Sequence, residues 1–177
     1  MKTEIRHTQT ADIPYVMALF DKARQTMAAL GIDQWQNGYP FINNVEEDIA
    51  AGESYVVVQD EKIIATFVFM ERDEPTYAVI DGAWRSASPY AAIHRITVSP
   101  DVRRSAQKEG GAKSISTEIM DFVKAKAAAD GFSGGIRVDT HEGNIPMRKM
   151  LEKQSFVYCG VIHLADGSPR VAYQYLP

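Results

Sequence analysis

His94 is the side chain of this sequence best suited to take up a proton during a reaction. Histidine usually ionises near pH ~6.5, so its ring can accept a proton at neutral pH. His94 stands in residues 90–98, which have the composition of a long strand. Because alternate residues of a regular strand share a face, we expect His94 on the face of Ile96 and Val98. A histidine that is hydrogen-bonded within the sheet fits the same pattern equally well.

A second pattern, between residues 98 and 112, could bind a phosphate group. A predicted strand ends, a loop with two arginines and two adjacent glycines follows, and a long helix begins. The first turn of a helix has free N–H groups and a partial positive charge, and glycines let the backbone approach an anion closely. Arginines add charge-assisted hydrogen bonds. A flexible loop that binds nothing has the same local sequence.

The elements that position these residues follow from the hydrophobic periodicity. Strands are predicted at residues 3–9, 54–59, 62–70, 90–98, 135–139, 156–163 and 170–176, and helices at residues 12–30, 44–51, 112–130 and 144–153. Extended structure is also indicated around residues 77–80. The short Asp60-Glu61 connection predicts an antiparallel hairpin. The order predicts one α/β domain over residues 1–177, with a mixed sheet of about six to seven strands and helices on both faces.

Composition excludes several classes of protein. The formal net charge is −4 and there is no basic run, so no nucleic-acid partner is expected. Cys159 is the single cysteine, which fits a reducing compartment, and it suits a small buried position better than a catalytic one. The polar start does not resemble a signal peptide, and the apolar run at residues 63–70 is too short to span a membrane. We expect a cytoplasmic protein with no membrane partner and no metal site.

The segment at residues 98–112 resembles the coenzyme A signature of the GNAT superfamily of acetyltransferases. That signature is a strand ending in Val-x-Pro, followed by Gln/Arg-x-x-Gly-x-Gly/Ala at the start of a helix. Here residues 98–100 read Val-Ser-Pro and residues 107–112 read Gln-Lys-Glu-Gly-Gly-Ala. A register led by Arg103 fails, because Ala106 and Lys108 would occupy the glycine positions. The match therefore requires a short insertion that contains both arginines.

The resemblance extends over nearly the whole chain. Residues 136–156 are similar to the family's fifth strand and fourth helix, where Asn144, Lys153 and Phe156 match the pattern Asn-x-x-Ala-x-x-Leu-Tyr-x-Lys-x-Gly-Phe. Leu151 stands at the tyrosine of that pattern. In many relatives this tyrosine donates a proton to the departing thiolate, which a leucine cannot do.

The resemblance implies acetyl-CoA as the acetyl donor and direct attack of an amine on its thioester. In the family, backbone N–H groups of the corresponding strand bind the thioester carbonyl and the pantetheine arm, which points here to Ile96, Thr97 and Val98. The pyrophosphate loop and the start of the following helices supply the other contacts with the coenzyme. These are Arg103, Arg104, Gln107, Lys108, Gly110, Gly111, Ala112, Lys113 and Asn144.

The resemblance also suggests roles on the acceptor side. His94 is the candidate base for the amine, and Tyr158 and Tyr39 are the candidates for protonating sulfur. Tyr158 lies in a predicted strand, where a packing role is the favoured alternative. Trp35 and Tyr39 lie in the loop between the first two helices, which often walls the acceptor site in the family, although a hydrophobic plug fits these residues as well. His141 follows the fifth strand near the expected cleft, where an ordinary loop residue is the alternative.

Two functions remain open on these grounds. The first is an N-acetyltransferase for a primary amine of a small molecule or a peptide, which the loop, the helix at Asn144 and the order of elements favour. The second is a non-catalytic GNAT-fold module that binds an acyl-CoA, which Leu151 and the altered loop favour. We predict the enzyme. The sequence does not identify the acceptor, and it is compatible with a homodimer.

Overall fold

A computed structural model describes residues 3–102 and 113–177. It confirms a mixed α/β fold, with a sheet of eight strands where about six to seven were predicted. The strands are β1 (Thr3–His7), β2 (Ser54–Gln59), β3 (Lys62–Met70), β4 (Asp81–Gly82), β5 (Ala91–Val98), β6 (Ile136–Thr140), β7 (Val157–His163) and β8 (Pro169–Tyr175). The helices are α1 (Ile13–Ala29), α2 (Ile42–Ala50), α3 (Ile115–Ala129) and α4 (Ile145–Lys153).

Helix α2 begins earlier than the sequence predicted. Asn44 was expected at its N-cap, but Phe41 holds that position and Asn44 lies in the first turn. The side-chain oxygen of Asn44 accepts a hydrogen bond of 2.9 Å from the backbone N–H of Phe41. This is the reverse arm of a capping box, in which a side chain of the first turn reaches back to the cap residue. The prediction identified a capping asparagine but assigned it to the wrong position.

The additional strand arises between β3 and β5. Extended structure around residues 77–80 was predicted, and this was wrong, because Pro75–Tyr77 forms a single 3-10 turn. The carboxylate of Glu74 caps that turn by accepting from the backbone N–H of Thr76. The two residues of β4 then pair with Val161 and Gly160 of β7. A strand of two residues is too short to show an alternating pattern.

The chain divides into two compact units. The first consists of Met1–Phe69 and Arg95–Ile119. Its strands run in the order β1-β2-β3-β5, and the antiparallel pairing of β2 with β3 confirms the predicted hairpin. The apolar faces of α1 and α2 pack against β2 in a buried cluster, which consists of Ile13, Val16, Phe20, Val45 and Val56.

The second unit consists of Met70–His94 and Met120–Pro177. Its strands run in the order β5-β6-β8-β7-β4. β5 and β6 are parallel and pair through Ala91 and Ala92 of β5, whereas β6, β8, β7 and β4 pair antiparallel. Its core includes Met70, Tyr77, Tyr90, Ala92, Ile162 and Ala172. The single domain predicted for residues 1–177 stays a prediction.

Arg137 and Gln174 hold the segment between β4 and β5 in place. The guanidinium carbon of Arg137 lies 4.3 Å from the ring centre of Trp84 and 3.7 Å from that of Tyr90. Gln174 is fully buried, and its side-chain oxygen accepts a 2.7 Å hydrogen bond from the backbone N–H of Arg85. Cation–π contacts and buried hydrogen bonds of this kind fix side-chain positions. These contacts fix the position of Tyr90, whose hydroxyl contacts Glu74 in the site described below.

Within residues 3–102 and 113–177, no helix is long and apolar enough to cross a membrane.

Candidate active site

His94, Glu74, Tyr77 and Asp139 of the second unit lie together, and the hydroxyl of Tyr90 contacts the backbone of Glu74; we call these five residues the His94 cluster. His94 Nε2 lies 3.2 Å from Glu74 Oε2, and His94 Nδ1 lies 4.0 Å from Asp139 Oδ1. The side chains of His94, Glu74 and Asp139 are 19%, 18% and 15% exposed, so all three are only partly open to solvent. Both ring nitrogens therefore lie beside a carboxylate.

Glu74 is fixed in the cluster from two directions. Its Oε1 accepts hydrogen bonds from the backbone N–H and the hydroxyl of Thr76, at 3.2 Å and 2.9 Å. Its own backbone N–H donates to the hydroxyl of Tyr90 at 3.1 Å. A carboxylate that accepts two hydrogen bonds at one oxygen has a defined orientation, which leaves the other oxygen for His94.

Asp139 is held by Tyr77. The hydroxyl of Tyr77 donates a 2.7 Å hydrogen bond to Asp139 Oδ1, and the ring of Tyr77 lies 6.0 Å from that of His94. Burial of Tyr77, followed by the charge of Asp139, raises the pKa of the Tyr77 hydroxyl well above its ordinary value of 10.0. Tyr77 therefore keeps its proton at neutral pH and acts as a donor to Asp139.

The contact between His94 and Glu74 is close but not well aligned. Nε2 of His94 is buried, and no acceptor among the described residues is placed well enough for a regular hydrogen bond. The interaction at 3.2 Å is a close contact, and it is an ion pair only when His94 is protonated. Burial acts to raise the pKa of Glu74, but the close contact with His94 and its charge outweigh burial and lower the pKa from 4.5 to about 2. Glu74 is ionised throughout the neutral range.

Replacing Glu74 with glutamine should lower the stability of the folded protein by an amount that changes with pH in the acid range. A carboxylate with a lowered pKa stabilises the folded state above its unfolded pKa, and this contribution is lost as the pH falls through the folded pKa. For Glu74 the window runs from pH 4.5 down to about 2. The difference in thermal midpoint between the wild type and Glu74→Gln should be largest above this window and shrink within it. Thermal unfolding at a series of pH values measures the difference.

The exposed Glu152 of α4 provides the control for this series. Glu152→Gln should leave the pH dependence of the midpoint close to that of the wild type, because exposed charges contribute little. A difference between the wild type and Glu74→Gln that stays constant down to pH 2 would contradict the assigned pairing.

A second network lies in the first unit and holds Arg95. Arg95 Nε and Nη2 donate to the carboxylate of Asp48 on α2, at 3.0 Å, 2.6 Å and 2.7 Å. Arg95 Nη1 donates to the hydroxyl of Tyr39. The side chains of Arg95 and Asp48 are 16% and 7% exposed, so the pair is largely removed from water. We call Arg95, Asp48 and Tyr39 the Arg95 clamp.

The backbone of Arg95 is left-handed although it lies within β5. Its φ is 53°, a conformation that costs a residue other than glycine about 1–3 kcal/mol and persists only where surrounding contacts enforce it. The Arg95 clamp supplies those contacts. The left-handed residue also breaks the regular alternation of β5. The expectation that His94 shares a face with Ile96 and Val98 assumed a regular strand, and that assumption was wrong.

The structure describes Ile96, Thr97 and Val98 directly after this irregular residue. Thr97 and Val98 are buried, and Ile96 is partly exposed. The hydroxyl of Thr97 donates to the carbonyl of Arg95 at 3.3 Å, which ties the strand to the irregular position. Their contact with a thioester stays a prediction.

Of the two residues predicted to wall the acceptor site, Trp35 packs against the core of the first unit. Its ring lies edge-on to Phe20 at 5.6 Å and to Tyr39 at 6.3 Å. Arg24 holds the loop by donating to the carbonyls of Gly38 and Pro40. This packing of Trp35 fits the hydrophobic plug that was the alternative, and Tyr39 joins the Arg95 clamp. The contact of both residues with an acceptor stays a prediction.

The structure does not bring Tyr158 to His94. Tyr158 pairs with Tyr173 of β8, which in turn pairs with Val138 of β6. His94 contacts Asp139, the next residue along β6. Because successive side chains of a strand point to opposite faces, Tyr158 and His94 lie on opposite faces of the sheet. Tyr158 is 54% exposed there, with its ring against that of Tyr173.

His141 and Asn144 shape the turn before α4. Nδ1 of His141 accepts a 3.0 Å hydrogen bond from the backbone N–H of Gly143. The side-chain oxygen of Asn144 accepts from the backbone N–H of Met147 at 3.3 Å and so caps the helix. Both residues have a structural role, and their predicted roles at the acceptor and the coenzyme stay predictions.

Most of the predicted pyrophosphate loop lies outside the described residues. This applies to Arg103, Arg104, Gln107, Lys108, Gly110, Gly111 and Ala112. Lys113 is described and exposed. Leu151, at the position of the family's tyrosine, is completely buried within the second unit.

The sequence interpretation missed the carboxylates of both networks. Asp139 is a charged residue near the end of a short apolar strand, and Glu74 directly precedes a proline, which indicates a capped turn. Asp48 gave no signal, because an acidic residue on an amphipathic helix usually faces solvent.

Comparison with known proteins agrees with the fold described above. The model of the acetyltransferase (GNAT) family matches residues 18–156, which is most of the chain. The chain belongs to the GNAT acetyltransferase family. No curated protein sequence matches this GNAT protein.

Solved structures with the same fold are numerous. A GNAT acetyltransferase from Streptococcus agalactiae is 30% identical, with a TM-score of 0.80 over 99% of this chain and 95% of that one. A GNAT acetyltransferase from Listeria monocytogenes is 18% identical, with a TM-score of 0.71 over 99% and 95%. A ribosomal-protein-alanine N-acetyltransferase from Brucella melitensis is 13% identical, with a TM-score of 0.64 over 98% and 99%. The two lower identities show the fold alone.

Proposed function

We propose that this GNAT protein is an N-acetyltransferase that moves the acetyl group of acetyl-CoA to a primary amine of a small molecule or a peptide. The observation that supports this best is the His94 cluster. In this cluster His94 of β5 lies between the carboxylates of Glu74 and Asp139. Ile96, two residues further along β5, begins the segment that corresponds to the thioester-binding strand of relatives. His94 is the proposed general base.

The reaction requires a base because an alkylammonium ion has a pKa near ~10.4 and carries no free electron pair at neutral pH. In the proposed step, His94 takes a proton from the ammonium group of the acceptor. The amine nitrogen then attacks the thioester carbon, the C–N bond forms, the nitrogen loses its second proton to solvent, and the C–S bond breaks. The electron pair of that bond leaves with the sulfur of the coenzyme.

The coenzyme would be held by the backbone of Ile96, Thr97 and Val98, by the loop at residues 103–113 and by Asn144. The left-handed Arg95 supports this assignment, because it departs from regular strand geometry directly before Ile96. Acetyl-CoA supplies the activated acetyl group. The chain's own residues supply binding, orientation and proton transfer.

The departing thiolate need not receive its proton from the protein. Leu151 has no proton to give, and Tyr158 lies on the opposite face of the sheet from His94. A free alkyl thiol has a pKa near ~8.5, so the thiolate is a tolerable leaving group at neutral pH. We propose that solvent protonates it, with the Tyr39 hydroxyl as the remaining candidate within the protein.

A non-catalytic acyl-CoA-binding module is the second candidate function. The observation that favours it is the complete burial of Leu151 at a position where many relatives carry the proton donor. Such a module would bind acetyl-CoA tightly without transferring the acetyl group.

Coenzyme A at millimolar concentration should raise the thermal midpoint of the wild type, because a ligand that binds only the folded state stabilises it. Gly110→Asp should abolish this shift by placing a side chain and a negative charge in the predicted anion site. Gln25→Asp on the exposed face of α1 is the control, since it adds a negative charge outside the predicted anion site. Its shift should match that of the wild type. No shift in the wild type would overturn the assignment of the coenzyme.

Thiol release from acetyl-CoA in the presence of a panel of amines separates the two functions. Amine-dependent release supports the enzyme, whereas binding without release across the panel supports the module. The panel should contain polyamines, amino acids and peptides with free N-termini. The Brucella protein is named for a peptide acceptor, but at 13% identity it does not decide the acceptor here. We further propose a cytoplasmic location.

A further inference from the structure

We propose that Glu74 is a positioning residue that keeps the ring proton of His94 on Nε2, so that Nδ1 is the atom that accepts the proton of the amine. This inference rests on the proposed function, because it specifies how His94 acts as the base. It concerns a residue that caps the turn before β4.

The two ring nitrogens of His94 differ in access. Nε2 is buried and lies 3.2 Å from Glu74 Oε2, so an acceptor amine cannot reach it. Nδ1 lies 4.0 Å from Asp139 Oδ1, beyond hydrogen-bond distance, and the His94 side chain is 19% exposed. Nδ1 is therefore the ring nitrogen that remains accessible to a substrate.

Glu74 selects the tautomer because its ionised carboxylate can accept a hydrogen bond but cannot donate one. In a neutral imidazole, the nitrogen beside a carboxylate carries the hydrogen, and the other nitrogen is the acceptor. The hydrogen bonds from Thr76 prevent the carboxylate from turning away, and the hydrogen bond from the backbone N–H of Glu74 to the Tyr90 hydroxyl holds its backbone. The proton thus stays on Nε2, although the N–H is not fully aligned with the oxygen.

Asp139 is the other charged group that faces His94, and the tyrosines at positions 77 and 90 complete the set of titratable neighbours in the cluster. The Tyr77 hydroxyl donates a hydrogen bond to Oδ1 of Asp139, the oxygen that lies near His94 Nδ1. Asp139 therefore competes weakly for the ring proton. When His94 takes up the proton of the amine, the charge of Asp139 stabilises the imidazolium that forms.

Long-range ¹H–¹⁵N spectra of the histidine rings in the full-length protein test the tautomer directly. The chain has four histidines, so the signal of His94 can be assigned from its loss in His94→Gln. At pH 8, His94 in the wild type should show hydrogen on Nε2. In Glu74→Ala a substantial Nδ1–H fraction should appear. In Glu74→Gln the amide oxygen still accepts from Nε2–H, so the wild-type tautomer should be retained.

Turnover should follow the tautomer. Glu74→Ala should lower kcat by roughly 10–100-fold, the size of effect seen when functional histidines lose an outer partner at metal sites. KM for the amine and the thermal shift with coenzyme A should change little. Glu74→Gln should recover most of kcat. Glu71→Ala is the matched control, because Glu71 pairs with Lys126 at 2.6 Å and is half exposed.

Each outcome has a separate meaning. If the wild type transfers acetyl groups and Glu74→Ala keeps both its kcat and its tautomer, this inference is overturned while the proposed function stands. If the wild type transfers no acetyl group to any amine, the proposed function fails, and the spectra alone decide whether Glu74 fixes the tautomer. If Glu74→Ala does not fold, Thr76→Val removes one hydrogen bond to the carboxylate, and an unchanged spectrum and kcat would overturn the inference.

Discussion

His94→Ala should lower kcat for acetyl transfer by roughly 10²–10⁴-fold, which is the usual contribution of a general base. The reason is that the acceptor ammonium ion would lose its proton only to water. The thermal shift with coenzyme A should barely change, because His94 is not among the residues predicted to hold the coenzyme. Steady-state kinetics with an amine from the active part of the panel measure the effect.

The control for this variant is His163→Ala. His163 is a half-exposed histidine of β7 that lies 3.8 Å from Asp81, so its removal leaves the His94 cluster intact. Thermal unfolding of both variants shows whether the fold is retained, since His94→Ala also removes the ring that Glu74 contacts. Normal turnover in a folded His94→Ala protein would return His94 to a structural role in the sheet.

Asp48→Ala should be among the most destabilising single substitutions in the chain. It removes the carboxylate that receives three hydrogen bonds from Arg95, and it leaves a largely buried guanidinium without a charge partner. Breaking a buried pair in this way typically costs about 3–5 kcal/mol. Denaturant unfolding measures the change in the free energy of unfolding.

An exposed pair of the same unit provides the control. Lys22 pairs with Asp101 at 3.5 Å, and their side chains are 51% and 65% exposed, so Asp101→Ala should cost no more than about 1 kcal/mol. The double variant Asp48→Ala/Arg95→Gly should be more stable than Asp48→Ala, because it removes the unpaired charge and places glycine in the left-handed conformation. A loss below about 1 kcal/mol for Asp48→Ala would contradict the importance of the Arg95 clamp.

The order of the longer elements could be predicted from the sequence because their hydrophobic patterns are regular. The β2–β3 hairpin was recognisable from Asp60-Glu61, and both residues adopt positive φ as tight hairpin turns require. The first residue of α2 and the two-residue β4 were not predictable in the same way. Their positions depend on hydrogen bonds to Asn44 and Glu74, which an apolar pattern does not report.

The candidate site could be predicted only in part. The chemistry of histidine and its place in a strand identified His94, whereas its partners come from a turn and from another strand that are remote in sequence. The left-handed conformation of Arg95 could not be predicted from the sequence, for a different reason. A glycine in β5 would have indicated an irregular strand, but an arginine within an apolar strand gives no such sign.

Each compact unit is assembled from two stretches of chain that are separated in sequence. During synthesis on a ribosome, β1, β2 and β3 emerge long before the second half of β5, and the first unit lacks part of its chain until Ile119 has been made. The second unit waits longer still, because β8 is the last strand to be made and lies between β6 and β7. A nascent chain with unpaired strand edges is prone to association. The period of exposure to chaperones and to neighbouring nascent chains therefore lasts until β8 has been made.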